Sequence, residues 1–330
     1  MKCFLKNTVI YTLGLSLLFL LFFSATTSYI SKGDYFSIPK NVNNIILGHS
    51  HSACAFNDSL IDGFYNLSQN TESYPYSKLK KILDHNDHND HVEQVFVELI
   101  NNQITAWSEN RVSGLYLDVN MPRNFPVMDA SFVWSIFAES KNPKRILNAL
   151  IQGNISNAEF LLSGNDNYIR HVWKTHKTLT RTYRAPIIDG TKKTVHPKSG
   201  TPEIDAQVLG TNLQYLVKLI RLCDAKGVTL YFMRSPMPPN TIIVNESEFR
   251  EFLKTKELQN TPFLDFKEYP LPDQMFADKQ HLNKKGQDLF SIFFNQLMTT
   301  QITEQKNIQV VIDAEMEKQK MVNTTRIPLN

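Results

Sequence analysis

A serine hydroxyl becomes a useful nucleophile only when a base takes its proton, and that base needs a partner to fix its orientation. Gly48-His49-Ser50-His51-Ser52 offers such a hydroxyl, and Asp278-Lys279-Gln280-His281 offers a base and a carboxylate three residues apart. One turn can set Asp278 beside one imidazole nitrogen of His281 and leave the other for Ser50. The serine segment follows the apolar run Ile45-Ile46-Leu47. This predicts a strand-to-helix turn that exposes the hydroxyl at the carboxyl edge of a parallel sheet, where open α/β sheets carry their sites. The helix after the turn would aim backbone N–H groups at a developing oxyanion. Each segment also has an ordinary reading. Ser50 would serve as a helix N-cap, Ser52 is a rival nucleophile, and an Asp and His three apart arise readily by chance. Their placement, after the first strand and before the last helix, makes them one candidate site.

The elements around them alternate. Asn44–Leu47 reads as a short buried strand stopped by Gly48, and Ser52–Ile61 as a helix. Tyr65–Ser68 is a second extended piece. Ser73–Leu83 has apolar residues at helical spacing, and Val95–Ile100 is a strong strand ended by Asn101-Asn102. That order favours a parallel α/β sheet. From 107 to about 203 the rhythm breaks at Pro122, Pro126, Pro143, Pro186 and Pro197, with helix candidates at Ser131–Glu139 and Lys144–Ile151. This stretch reads as an insertion, a lid or substrate-facing cap. Then follow an amphipathic helix over Ala206–Lys226 with Gly227 as C-cap, a strand at Val228–Met233, a helix at Glu246–Lys256, a strand at Phe263–Phe266 and a last helix at Leu282–Met298. Residues 301–330 read as a polar tail in which Ile308–Ile312 would be a stray strand.

With these blocks in place the chain resembles the SGNH, or GDSL-like, hydrolase and acyltransferase superfamily. Gly48-His49-Ser50 stands where that family has its Gly-Asp-Ser turn, and Asp278 to His281 stands at its late D-x-x-H. The resemblance implies a three-layer, flavodoxin-like α/β fold with a central parallel sheet. It implies Ser50, His281 and Asp278 as catalytic residues, and an oxyanion hole drawing on Ser50, Asn70 in the second block, and Asn101 or Asn102 in the third. His49 replaces the usual Asp, and no Gly occurs between Asn66 and Thr71. The overall plan is similar to tethered extracytoplasmic relatives such as the D-alanine transfer protein of teichoic acid and the alginate and peptidoglycan O-acetyltransferases. It implies an acylated glycan or other acyl ester as substrate, a membrane-bound O-acyltransferase as partner, and no cofactor. A catalytically inactive scaffold of the same fold is the alternative.

The chain has 330 residues, 42% of them hydrophobic, enough for a substantial core. A net charge of +3, without a basic-aromatic stripe, argues against nucleic acid. Lys2 and Lys6 precede an uncharged stretch from Asn7 to Ser31, long enough to span a bilayer. Residues 1–30 therefore read as a membrane anchor with a cytoplasmic N-terminus, leaving 31–300 as an extracytoplasmic α/β domain. A cleaved signal peptide, giving a secreted protein, is the other reading. Cys3, Cys54 and Cys223 show neither disulfide nor zinc spacing. The run Asp84–His91 contains three histidines but reads as an exposed polar loop rather than a metal site. His49 and His51 flank the nucleophile as candidate substrate contacts, and Arg234, after the fourth strand, is a candidate for an acidic substrate. Glu98, inside an apolar strand, demands a partner that the sequence does not name.

Overall fold

Short β-rich runs bounded by Gly and Asn become strands here because both of their faces can be buried. The computed structural model describes residues 1–72, 75–85, 89–105, 112, 114–173, 179–182, 206–239, 241, 243–300 and 307–326. Five strands, β1 (Asn44–Leu47), β2 (Phe64–Asn66), β3 (Gln94–Glu98), β4 (Thr229–Arg234) and β5 (Phe263–Asp265), form one parallel sheet in the order β2-β1-β3-β4-β5. This is the doubly wound order of flavodoxin-like sheets, in which the chain reverses direction between β1 and β3. Registers such as Ile46↔Phe96 and Phe96↔Tyr231 carry the strands in step.

Alternation along the strands divides the core. Ile45, Leu47, Val95, Val97, Leu230 and Phe232 face one layer, built from α3 (Pro75–Leu83), α7 (Ala206–Lys226) and α8 (Glu246–Leu253). Ile46, Phe96, Tyr231, Met233 and Leu264 face the other, with α2 (Ser50–Ala55), α9 (Lys284–Thr299) and α10 (Ile308–Arg326). An aromatic cluster holds the α9 layer. Phe294 meets Phe56 edge-on at 4.9 Å and Phe64 at 5.3 Å, and Phe96 stacks on Tyr231 at 4.9 Å. The helix carrying the nucleophile and the helix following the base are thereby packed on one another.

The N-terminal helix α1 (Lys2–Lys32) is long and apolar enough to cross a membrane. Its last turns pack on the insertion, whose helices are α4 (Leu117–Asn120), α5 (Ala130–Glu139) and α6 (Pro143–Leu162). Phe23 meets Phe125 edge-on at 4.8 Å, and the Asn157 amide donates to Thr27 Oγ1 at 2.9 Å. A small core of Leu117, Met121, Phe125, Ile136 and Ala149 holds the insertion together. Much of the predicted cap, and Asn86, Asp87 and His88 of the histidine run, lie outside the described residues. His85 instead meets Asp34 at 2.5 Å and His91 Nε2 meets the Pro39 carbonyl at 3.1 Å. Among the described residues no group of three or more metal-ligating side chains comes together.

The C-terminal segment is not the polar tail expected. Residues 308–326 are helical, and Ile312 and Met316 are buried among the aromatic side chains of the α9 layer. Ile308, Val311, Ile312 and Met316 recur at helical, not strand, spacing. Gln309 gives the helix a second hold: its side-chain amide accepts from the Asp265 N–H at 2.8 Å and donates to the Asp265 carbonyl at 3.0 Å.

Truncating Phe294 to Ala should cost about 3–5 kcal/mol, because it leaves a cavity between α9 and the sheet. Urea unfolding followed by circular dichroism, with an unchanged m-value, would read this as a lowered midpoint.

Candidate active site

The carboxyl ends of β1 and β3 stop side by side, and the chain after β1 turns at once into α2. Gly48 lets this turn sit directly on β3. A Cβ there would lie 2.6 Å from Glu98 Cβ and 2.8 Å from Glu98 Oε2. Glu98, fully buried at the end of β3, is the partner missing from the sequence reading. Its Oε2 accepts the backbone N–H of His49 at 3.0 Å and of Ser52 at 3.3 Å. His49 Nδ1 lies 3.3 Å from the same oxygen, and the Ser235 hydroxyl donates to Oε1 at 3.4 Å. The residue capping α2 is His49, not Ser50, so the Ser50 hydroxyl is free of capping duty.

Asp278 and His281 arrive from the loop before α9. The loop is pinned at both ends. Ala277 N–H donates to the His281 carbonyl at 2.7 Å. Asn283, the N-cap of α9, accepts from Gly286 N–H at 3.1 Å and donates to the Gln274 carbonyl at 2.7 Å. Within this frame His281 Nε2 lies 2.8 Å from Ser50 Oγ, and His281 Nδ1 lies 2.8 Å from Asp278 Oδ1. Burial pushes the Asp278 carboxyl up, but the Gln280 N–H, the His281 ring and Arg181 outweigh it and hold the group below its usual range. An ionised Asp278 accepts the Nδ1 proton and leaves the Nε2 lone pair facing the Ser50 hydroxyl. The structure thus brings Ser50, His281 and Asp278 into one hydrogen-bonded chain.

The histidines beside the serine pack in sequence. His49 meets His51 edge-on at 4.9 Å, and His51 meets His281 edge-on at 5.1 Å. His51 therefore supports the face of the base, and both flanking histidines are buried. Ser52, the rival nucleophile, is also buried, and its N–H is committed to Glu98.

Two predicted site residues are placed elsewhere. Arg234 does not face a substrate: its guanidinium is 0% exposed and forms a fork with two carboxylates. Nε donates to Asp265 Oδ1 at 2.9 Å, Nη1 to Glu246 Oε2 at 2.7 Å and Nη2 to Glu246 Oε1 at 3.0 Å. Asn101 completes that cluster and is no oxyanion donor. Its Oδ1 accepts from Arg234 at 3.0 Å and its amide donates to Glu246 at 2.9 Å. An arginine at a strand end looked like a ligand because the carboxylates that consume it come from α8 and β5. Burial raises the Glu246 carboxyl, but the Arg234 guanidinium, Asn101 and Arg250 bring it down to about 2.

Of the remaining oxyanion candidates, the Ser50 N–H donates to no group among the described residues. Two neighbouring N–H groups are occupied, Ser52 by Glu98 and Ser68 by Asn66 Oδ1 at 3.0 Å. The loop after β2 does reach the turn, since the Gln69 N–H donates to the Gly48 carbonyl at 2.9 Å. Asn70 is the next residue and is exposed. Thr71 follows at φ 59°, a left-handed conformation costly for a β-branched residue. Its hydroxyl donates to the Asn70 carbonyl at 2.6 Å. Asn102 is half-buried after β3 and its side chain has no hydrogen bond among the described residues. Arg181, which no sequence signal marked, pairs with the second oxygen of Asp278 from the insertion side.

A profile of an uncharacterised protein family matches residues 205–304. The matched span runs from α7 to α9 and holds Asp278 and His281 but not Ser50. No curated protein matches the chain.

Two substitutions test this construction. Gly48→Ala forces its Cβ into Glu98 and should destabilise the protein by about 1–3 kcal/mol, read as a lower denaturation midpoint. Glu246→Gln should cost about 1–3 kcal/mol at neutral pH. Because the folded-state value lies below the ordinary one, this contribution is complete above the usual carboxylate range and fades as pH falls through about 2. Wild-type and variant stabilities should therefore converge in acid, as followed by urea titrations across pH.

Proposed function

We propose that this chain is an SGNH-type acyl-transferring enzyme, an O-acyltransferase or esterase acting through a Ser50 acyl-enzyme. The observation that carries the reading is His281 bridging Ser50 Oγ and Asp278 Oδ1, each at 2.8 Å, at the carboxyl edge of the sheet. Ser50 Oγ attacks the acyl carbonyl as its proton passes to His281 Nε2. The tetrahedral oxyanion is met by the Ser50 N–H, together with donors from the Asn70 loop or Asn102. Collapse breaks the bond to the leaving alkoxide, which takes the proton from His281. An acceptor hydroxyl or water, deprotonated by the same nitrogen, then releases the acyl group. Asp278 keeps the imidazole aligned and balances its charge throughout.

Helix α1 with Lys2 and Lys6 ahead of it supports a single-pass anchor with the α/β domain on the extracytoplasmic side. There an esterase would cleave an acylated envelope glycan or other acyl ester, whereas a transferase would receive its acyl group from a membrane-bound O-acyltransferase and pass it to a glycan hydroxyl. The late Asp-His pair, the serine turn and the inserted middle support the SGNH assignment. A second reading, an inactive scaffold of the same fold, is favoured by the commitment of Asn101 to Arg234 and Glu246, away from the serine.

A fluorophosphonate probe separates the two. An enzyme labels at Ser50, and His281→Ala lowers the labelling rate by at least about 10³-fold, as does Ser50→Ala. Equal labelling of wild type and His281→Ala, or none in either, would leave the scaffold.

A further inference from the structure

In a serine-histidine-aspartate chain the carboxylate must stay fixed while the imidazole gains and loses charge. Burial does not fix Asp278, since 31% of its side chain is exposed. Its two oxygens are held in different ways. Oδ1 accepts the backbone N–H groups of Gln280 and His281, each at 3.0 Å, besides His281 Nδ1 at 2.8 Å. Those donors all belong to one short loop. Oδ2 accepts from the Arg181 guanidinium, which comes from the insertion, 97 residues earlier. Among the described residues Arg181 is the only lysine or arginine paired with Asp278. Lys284, close by in sequence, is taken by Asp288 at 2.6 Å.

Arg181 does not arrive alone. The carbonyl of Leu179, two residues before it, accepts the Lys284 N–H at 2.6 Å. Lys284 is the first residue of α9, and the opening N–H groups of a helix have no partner within it. Asn283 caps one of them and Leu179 another. The segment Leu179–Thr182 therefore touches the base loop at Asp278 and at Lys284, three residues before and three after His281. Upstream, the insertion is rooted in the domain at Trp173, which is 0% exposed and whose carbonyl accepts from the Gln69 side chain at 2.6 Å. Gln69 lies in the loop after β2 that reaches the Gly48 carbonyl. The insertion thus grips the loops on both sides of the site.

We infer that Arg181 is a positioning residue for the base: by holding Oδ2 it keeps Oδ1 turned to His281 Nδ1, so that the insertion completes the Ser50 site. The inference rests on reading Ser50, His281 and Asp278 as a catalytic chain. A carboxylate open to water can turn about its Cβ–Cγ bond, or exchange the imidazole for a water molecule. A guanidinium on Oδ2 opposes both. It also sets a permanent positive charge where it favours the ionised carboxylate. The arginine side of the pair is open to solvent, 64% of that side chain being exposed. Its effect is therefore modest and is screened by salt.

The test is the rate at which a fluorophosphonate labels Ser50 in the full chain, in wild type, Arg181→Gln and Arg181→Lys. Each is assayed well below its denaturation midpoint, so that the rate reads the folded site. Arg181→Gln should label about five-fold more slowly than wild type. Arg181→Lys should stay within about two-fold of wild type, because lysine keeps the charge and loses only the fork. Salt at about 1 M should slow wild type toward Arg181→Gln and leave Arg181→Gln unchanged. If Arg181→Gln labels as fast as wild type, or Arg181→Lys as slowly as Arg181→Gln, while His281→Ala still abolishes labelling, the catalytic chain stands and this inference is overturned. If wild type does not label, or His281→Ala labels as fast as wild type, chain and inference fall together.

Discussion

The buried carboxyl group of Glu98 determines how β1 can end. A polar group at the centre of a sheet must be satisfied by neighbours, and here the neighbours are the N–H groups of the turn that carries Ser50. Gly48 has no side chain because that carboxyl occupies the space one would need. The same carboxyl takes the His49 and Ser52 N–H groups, so Ser50 is bracketed by two fixed points. Ser235, at the end of β4, reaches the same carboxyl, which thus links three successive strand ends. The position of the serine hydroxyl is set by the register of β1 on β3, not by α2, which has only six residues.

The base reaches the serine by a different route. His281 lies 231 residues further along the chain, and the aromatic packing of α9 on Phe56 and Phe64 brings its loop to the sheet edge. His51 forms the remaining wall against the imidazole ring. Glu98 beneath the turn and α9 behind the loop act independently, and the short contacts of Ser50, His281 and Asp278 arise where the two constructions meet.

Local patterns in the sequence located what local physics controls. The apolar strands, the Gly48 stop, the amphipathic α7 and the Asp278-His281 spacing are all short-range features, and each element lies within a few residues of its expected place. What escaped depends on partners far apart in the chain. Arg234 and Asn101 looked like site residues because they follow strands at the right edge, yet Glu246 and Asp265 take up their hydrogen-bonding capacity. Glu98 announced a buried polar contact without naming it. Helix α10 was misread because its overall polarity masked the spacing of Ile308, Val311, Ile312 and Met316, a signal that was present. Arg181 had no signal, since only the folded insertion carries it to Asp278.

Gln309 has a role beyond anchoring α10. By accepting from the N–H and donating to the carbonyl of Asp265, one side-chain amide reproduces what a neighbouring strand would offer the outer edge of β5. Sheet edges invite other chains to add a strand. This chain fills the position at Asp265 with an imitation of its own, so both backbone hydrogen-bonding groups of the last residue of β5 are already engaged and are not offered to an added strand.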